Sequence, residues 1–395
     1  MNKSLLMTAC VLSLNVCPVM AQDDVIEPAP IEVAEVEIVK TEAPASPVKL
    51  EFYLDAYYAF DTDARVRQGE GAESTLVPRG DRPLNAVNFR RNEFNLNTAQ
   101  VTASTQMDWF RGRTTFQFGN IPQSSWLPEK YSAIQEANVG IRPLSNLGGE
   151  GNDLWLDGGI FLTHIGNEAL LPRYNWLSNL ALVTMFEPFY QAGLRASYNW
   201  GSLASFQLHL LNGYGSIEDN NLAKSVGWLV GVTPLSNLSL SWAGQVGDET
   251  NFGDPFAVRF YNNLNASYQI LDNLGLRGQF DFATEGNKGF YYGAQLTARY
   301  DFLERFGVTL RGETIQDPNG MLTAAYDTSS DDASQGLQGF GVTLGLEYRP
   351  LDNAFVRLEG RQLMLSQTNN QIFIDPAGVA SSNRFEVSVN TGFWF

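Results

Sequence analysis

Apolar and polar positions alternate along residues 50–60. Leu50, Phe52, Leu54, Ala56, Tyr58 and Phe60 form one set, and Glu51, Tyr53, Asp55, Tyr57 and Ala59 the other. Successive side chains of an extended chain point to opposite faces, so this pattern predicts a strand with one apolar face. The pattern returns at Tyr190, Ala192, Leu194, Ala196, Tyr198 and Trp200. It returns again over Phe290–Phe302 and Phe340–Tyr348. It is also how the chain ends. In RFEVSVNTGFWF (384–395), Phe385, Val387, Val389, Thr391, Phe393 and Phe395 alternate with Arg384, Glu386, Ser388, Asn390, Gly392 and Trp394. Soluble sheets use strands of about 5–6 residues. A strand that crosses a membrane needs about 9–11 residues of alternating apolarity, which these segments supply. A soluble β-sandwich or β-helix, the competing architecture, would show shorter strands facing a dry core.

About sixteen such strands are predicted, within a range of 14–18. They lie near 50–60, 92–103, 107–118, 135–143, 154–164, 188–200, 203–213, 224–233, 238–248, 258–271, 274–284, 290–302, 306–316, 338–348, 354–366 and 384–395. Alternate links are tight: NWGS (199–202), PLSN (234–237), LDN (271–273), LER (303–305) and PLDN (350–353). The links between them are long: 61–91, 165–187, 317–337 and 367–383. RPLSNL (142–147), TPLSNL (233–238) and RPLDNA (349–354) echo one another and predict the same kind of turn. Short periplasmic turns and long extracellular loops are the pattern of an outer-membrane barrel. An even strand count returns residue 395 to the side where residue 50 starts. Five of the strands running that way then end in an interfacial aromatic: Tyr198 and Trp200, Tyr268, Tyr300 and Phe302, Tyr348, Phe393 and Phe395. The expected fold is all-β, a transmembrane antiparallel β-barrel whose last strand pairs with its first, because lipid tolerates no open edge.

Composition refines this picture at the N-terminus. MNKSLLMTACVLSLNVCPVMAQ has Lys3, an apolar run from Leu5 to Val16 and small residues near Ala21, so residues 1–21 are read as a signal peptide. Both cysteines, Cys10 and Cys17, lie inside it, so disulfides are not expected in the remainder. Residues 22–49 carry seven acids, two lysines, repeated prolines and no aromatic residue, which reads as an acidic periplasmic linker. The formal charge of −17 becomes one unit more negative without Lys3 and argues against nucleic acid as a partner. Residues 50–395 form the barrel.

Several stretches, namely FYLDAYYAF (52–60), NEFNLNTAQ (92–100), LWLDGGIF (154–161) with HIGNE (164–168), YNW (174–176), EPFYQAGLRASY (187–198) and LLNGY (210–214), resemble the OmpL-like β-barrel porins of Gram-negative bacteria. The resemblance is densest over 52–214. It implies an outer-membrane channel and supplies neither a substrate nor a residue-level mechanism. A terminal aromatic such as Phe395 likewise resembles the signal that the outer-membrane assembly machinery reads.

The chemistry-bearing residues are sparse outside the charged positions. Only His164 and His209 could serve a Ser–His hydrolase or a metal site. No nucleophile–base pairing or ligand spacing supports either, so no enzyme, metal or cofactor is expected. DTSSDD (327–332) lacks the spacing of a calcium loop. Charges are costly toward lipid and tolerated in a wet lumen. The expected pore-lining residues are Arg195, Arg259, Arg277, Arg299, Arg311, Arg357 and Arg361, interleaved with Asp281, Asp301, Glu313 and Glu359, and with Glu51, Asp55 and Glu386. Arg277, Arg299 and Arg311 come from successive strands and form either a basic wall or a neutralised network. By strand order 165–187 is the third external loop, and it is rather apolar, with Leu170, Leu171, Trp176, Leu177, Leu180 and Leu182. It should therefore leave water and enter the lumen, with Arg173, Tyr174 and Trp176 as constriction candidates. The expected function is passive diffusion of small hydrophilic solutes or ions. The alternative is an anchor or receptor barrel with an occluded lumen, acting through its loops or acidic tail. The expected partners are outer-membrane lipid, the assembly machinery and, by analogy with other sixteen-stranded porins, two further copies in a homotrimer.

Overall fold

A computed structural model describes residues 47–63, 82–126, 129–323, 336–366 and 370–395. The predicted leader, almost all of the acidic linker and DTSSDD (327–332) lie outside the described residues. Sixteen strands close into one antiparallel barrel. They are β1 (Lys49–Asp61), β2 (Phe94–Gln106), β3 (Phe110–Phe118), β4 (Ile134–Leu144), β5 (Leu154–Leu162), β6 (Tyr190–Trp200), β7 (Ala204–Leu211) and β8 (Ser225–Leu235). Then come β9 (Leu238–Asp248), β10 (Val258–Leu271), β11 (Leu274–Glu285), β12 (Phe290–Leu303), β13 (Phe306–Gln316), β14 (Gln338–Leu351), β15 (Ala354–Leu365) and β18 (Asn383–Trp394). The predicted strands match these within a few residues. The last long loop adds a two-stranded hairpin, β16 (Phe373–Ile374) and β17 (Ala380–Ser381), which the alternation did not signal.

Neighbours in sequence are neighbours in the wall, and β18 closes the ring against β1. Tyr53 faces Trp394, and Asp61 faces Glu386. The seam is finished at the chain end, where Phe52 and Phe395 exchange backbone hydrogen bonds of 2.8 and 3.1 Å and stack at 4.9 Å. The period-2 alternation sorts the two faces. Leu296 on β12 is 61 % exposed toward lipid, while the inward-facing Arg311 on β13 is fully buried. The outward aromatics form two belts. Trp200, Tyr268, Tyr300, Phe302, Tyr348 and Phe393 mark the short-turn end, and Phe60, Phe94, Phe118, Phe290, Phe340 and Phe385 the long-loop end.

The three echoing hexapeptides do share a backbone device. Pro143, Pro234 and Pro350 each sit where the strand register shifts, between Ile141 and Leu144, Val232 and Leu235, and Tyr348 and Leu351. A bulge at a strand end tolerates the missing N–H. Their turns are not alike, however. The turns at 236–237 and 352–353 are two residues long, whereas the first opens into 145–153. There Asn146, with a φ of 55°, holds the backbone of Gly151 through its side chain, and Asp153 pairs with Arg142.

The loops at the long end are L1 (62–93), L2 (119–133), L3 (163–189), L4 (212–224), L5 (249–257), L6 (286–289), L7 (317–337) and L8 (366–382). L2 carries the short helix α1 (Asn120–Ser125). Replacing Leu296 with Arg places a charge on the lipid face near mid-strand. It should lower barrel stability by about 2–4 kcal/mol, read by denaturant titration in lipid vesicles.

Candidate functional site

The lumen is where the chain departs from a plain barrel. L3 leaves β5 at the long-loop end, passes down the lumen almost to the short turns, and returns to β6. The sequence drives it there. Leu170, Leu171 and Leu180 bury against Tyr53 and Tyr190 of the wall, Ala86 and Val87 of L1, and Ile121 and Trp126 of L2. Leu182 and Phe186 bury against Tyr261, Tyr291 and Ile315. This apolar surface would be exposed on any loop that stayed outside.

Burying L3 creates orphan backbone groups, and the wall charges satisfy them. Glu359 of β15 accepts from the amides of Ser178 and Asn179 and, at 3.0 Å, from the Asn179 side chain. Glu313 of β13 accepts from the amide of Leu182 at 2.6 Å. Arg357 donates to the carbonyls of Asn175 (2.6 Å) and Pro172 (2.8 Å). Arg311 donates at 2.7 Å to both the Asn179 carbonyl and Glu168. Hydrogen bonds to charged groups contribute about 1.5–3 kcal/mol each before desolvation is counted.

Three inward glycines complete the seat. A Cβ on Gly275 would lie 2.9 Å from Trp176, one on Gly293 would lie 2.7 Å from Val183, and one on Gly345 would overlap Leu177. Each side chain of L3 occupies the volume that the wall residue leaves empty. Trp176 also lies flat against Arg277, whose guanidinium carbon is 4.2 Å from the ring centroid. The gap left between this part of L3 and Gln295 and Thr297 is about 10 Å³, barely one water.

All fourteen residues expected to line the pore point inward, and the structure sorts them into distinct settings. Arg311, Arg357, Arg361, Glu313 and Glu359 are buried beneath L3. Arg299 bridges Asp301 and Glu347 at 2.7 Å each, so Arg299 and Arg311 belong to a neutralised network rather than to a basic wall. Arg259 pairs with Glu285 near the long-loop end, beneath the Tyr214 ring. Asp281 meets Tyr261 and Asn263. The tip of L3 brings Arg173 over the Tyr53 ring and 3.7 Å from Glu51, close to the short-turn mouth, where Tyr174 is exposed. Glu386 contacts Arg82 and Asn85 of L1, and Asp55 accepts from Asn97 of β2 and Asn390 of β18. Arg82 joins Asp61 and Glu386, and Asn88 links Asn97 and Asn390 to Asn179 of L3.

A second charged wall, of which only Arg195 was singled out from the sequence, lies on β3 to β6. Arg111 of β3 and Arg195 of β6 share Asp157 of β5 at 2.6 and 3.2 Å, and Arg113 pairs with Glu136 at 2.8 Å. Toward the short turns, Ser197, Asn199, Ser205 and Gln207 stay half-buried, whereas Gln191, Arg195 and His209 further along the same strands are buried. The alternation in FRGRTTFQF contains Arg111 and Arg113 on the face opposite its phenylalanines, so period 2 carried that signal. Glu168, Glu187 and Arg82 lie in loops, where no period exists.

The two histidines stack at 4.1 Å. His164 bonds Gln191 and the Gly244 carbonyl, and His209 bonds Gln207, so neither is paired with a hydroxyl or a carboxylate in these bonds. Burial holds the His164 imidazole below its ordinary pKa, so it is neutral. Among the described residues no cluster of three metal-binding side chains occurs.

Residues 47–395 match the family described as "Putative beta-barrel porin-2, OmpL-like". The chain belongs to that family. As an OmpL-like β-barrel protein it resides in the outer membrane of a Gram-negative bacterium. No curated protein matches it in sequence. Solved structures share its fold at low identity. OmpT of Vibrio cholerae aligns over 88 % of this chain and 97 % of its own at 12 % identity, with a TM-score of 0.54. The outer-membrane channel DcaP of Acinetobacter baumannii aligns over 88 % and 97 % at 9 % identity, with a TM-score of 0.55. An anion-selective porin from Comamonas acidovorans aligns over 88 % and 99 % at 12 % identity, with a TM-score of 0.55.

The OmpL-like barrel should tolerate removal of the seat better than its occupant does. Gly345→Ile places a branched side chain where Leu177 rests and should weaken L3 docking by about 1–3 kcal/mol without opening the barrel. Limited proteolysis should then cut within 170–183 while the folded barrel keeps its heat-modifiable gel migration.

Proposed function

We propose that this barrel is a diffusion channel for small hydrophilic solutes or ions, with L3 as the element that limits passage. The observation that carries this reading is the lumen wall itself. Charged side chains face the lumen from β1, β3 to β6, β10 to β15 and β18, around the apolar patch of Leu229, Tyr261, Tyr291 and Ile315 that seats L3, and so many inward charges suit a solvated path. Family membership supports the same role, and a non-enzymatic one. Arg111, Asp157 and Arg195 line the lumen on β3, β5 and β6. Arg311, Arg357, Arg361, Glu313 and Glu359 act as pore-lining residues once L3 is displaced, and Arg173, Tyr174 and Trp176 form the constriction. Residues 1–21 serve as a cleaved leader and 22–49 as a periplasmic spacer. Phe395 is read by the assembly machinery. A homotrimer accompanies the reading, as one OmpT structure from Vibrio cholerae is described as a trimer form.

A second reading has its own support. Arg311, Arg357, Arg361 and Arg384 are each no more than 2 % exposed, which favours an occluded barrel acting as an anchor or receptor. Single-channel recording in planar bilayers separates the two. The intact chain should give small discrete steps, and deletion of 170–183 should enlarge them severalfold. An intact barrel that stays silent beside a conducting deletion variant supports the occluded reading. Equal conductance in both would remove L3 as the limiting element.

A further inference from the structure

The return limb of L3 is fastened differently from its tip. At the tip, every wall carboxylate meets an amide or an arginine. At Glu187, just before β6, the loop carboxylate meets another carboxylate. Gln279 donates to Glu187 at 2.5 Å and to Asp281 at 3.1 Å. Asn263 donates to Asp281 at 2.5 Å and reaches Glu187 at 3.4 Å. Tyr261 donates the third hydrogen bond, to the other oxygen of Asp281. The groups facing the pair from each packed element are Tyr261 and Asn263 of β10, Gln279 of β11, Tyr291 of β12, Tyr214 of L4, and Glu168 and Gly166 of L3. The nearest cations are engaged elsewhere. Arg259 holds Glu285 and lies under Tyr214, and Arg311 holds Glu168. Both carboxyls are buried, and among the described residues no cation is bonded to either.

Two carboxylates that share donors in a dry site cannot both be ionised without strong repulsion, so the site retains a proton. From this geometry we propose that Glu187 and Asp281 form a proton-held latch that keeps the return limb of L3 docked and releases it as pH rises. Burial, reinforced by the charge of Asp281, holds the Glu187 carboxyl well above its ordinary value of 4.5. The sign follows from linkage. Released L3 exposes Glu187 to water, where it ionises normally, and docked L3 keeps the proton. Docking is therefore fully favoured below the ordinary carboxyl range and weakens about tenfold per pH unit between that range and the raised value. In the channel reading, the latch makes the conductance of the barrel rise with pH. That consequence rests on the proposed function, whereas the latch itself does not.

The test reads L3 directly. Cys10 and Cys17 are the only cysteines in the sequence, and both precede residue 22. Thr184→Cys in the refolded chain from residue 22 thus introduces a single thiol on the return limb, at a site that is buried when L3 is docked. Its labelling by a charged methanethiosulfonate is measured across pH with Glu187 intact, with Glu187→Gln and with Asp281→Asn. Comparing the three at each pH cancels the ionisation of the thiol. The labelling rate with Glu187 intact should exceed that of either amide variant by about tenfold or more at alkaline pH and equal it at acidic pH. A ratio that stays constant with pH overturns the latch, and so does an identical rise in all three. Conductance of the 170–183 deletion variant decides the channel reading separately, so failure of one leaves the other standing. Heat-modifiable migration verifies that each barrel has folded, and either amide variant suffices if the other does not fold.

Discussion

Everything in this protein depends on one closure, the pairing of β18 with β1. In hydrocarbon no water is available to a strand edge, so a sheet of this kind exists only as a ring. The seam extends from Asp61 opposite Glu386 to the mutual backbone bonds of Phe52 and Phe395. It fixes the register, and the register fixes which side chains face lipid and which face inward. One residue of slip would turn Arg357, Glu359 and Arg361 to lipid and Val356, Leu358 and Met364 to the lumen or its rim. The aromatic belts at both ends and the charged interior are two results of the same constraint.

The interior then behaves as a second core with polar fasteners. L3 supplies the apolar surface, and the wall supplies ions that satisfy its backbone and glycines that make room for its side chains. The arrangement is reciprocal. Arg357 and Arg311 would be costly in a dry lumen without carbonyls and carboxylates to meet, and the amides of Ser178, Asn179 and Leu182 would be costly without Glu359 and Glu313. At the short-turn ends of β6 and β7 the wall instead keeps hydroxyl and amide side chains that stay half-buried.

Most of the fold was legible because membrane strands leave a strict mark. Two faces in two solvents force period 2, and the parity of aromatics at strand ends followed from it. The inward direction of Arg195, Arg299 and Arg361 was legible for the same reason. What they touch was not. Pairing between Glu347 and Arg357 is set by register, but their contacts with Pro172 and Asn175 depend on the path of a loop with no repeating pattern. The apolar content of L3 indicated that it would enter the lumen. It did not indicate that the tip would come within reach of Glu51 at the far mouth, because depth is decided by the glycine seats at 275, 293 and 345, and a glycine announces nothing about what will fill its space. The turn at 145–153 shows the opposite limit. A local motif fixed the bulge at Pro143, and residues beyond the motif fixed the length.

The partners of L3 also carry an order of events. Asn263, Gln279, Arg311, Glu313, Arg357 and Glu359 all belong to strands that follow L3 along the chain. Beyond its contacts with Tyr53, L1 and L2, the loop lacks these fasteners until the second half of the wall exists, and once β18 meets β1 the lumen can be entered only from its two mouths. Seating of the loop and sealing of the ring are therefore linked steps of biogenesis. The protein is assembled around a piece of itself, as a cooper closes staves around a form that stays inside the barrel.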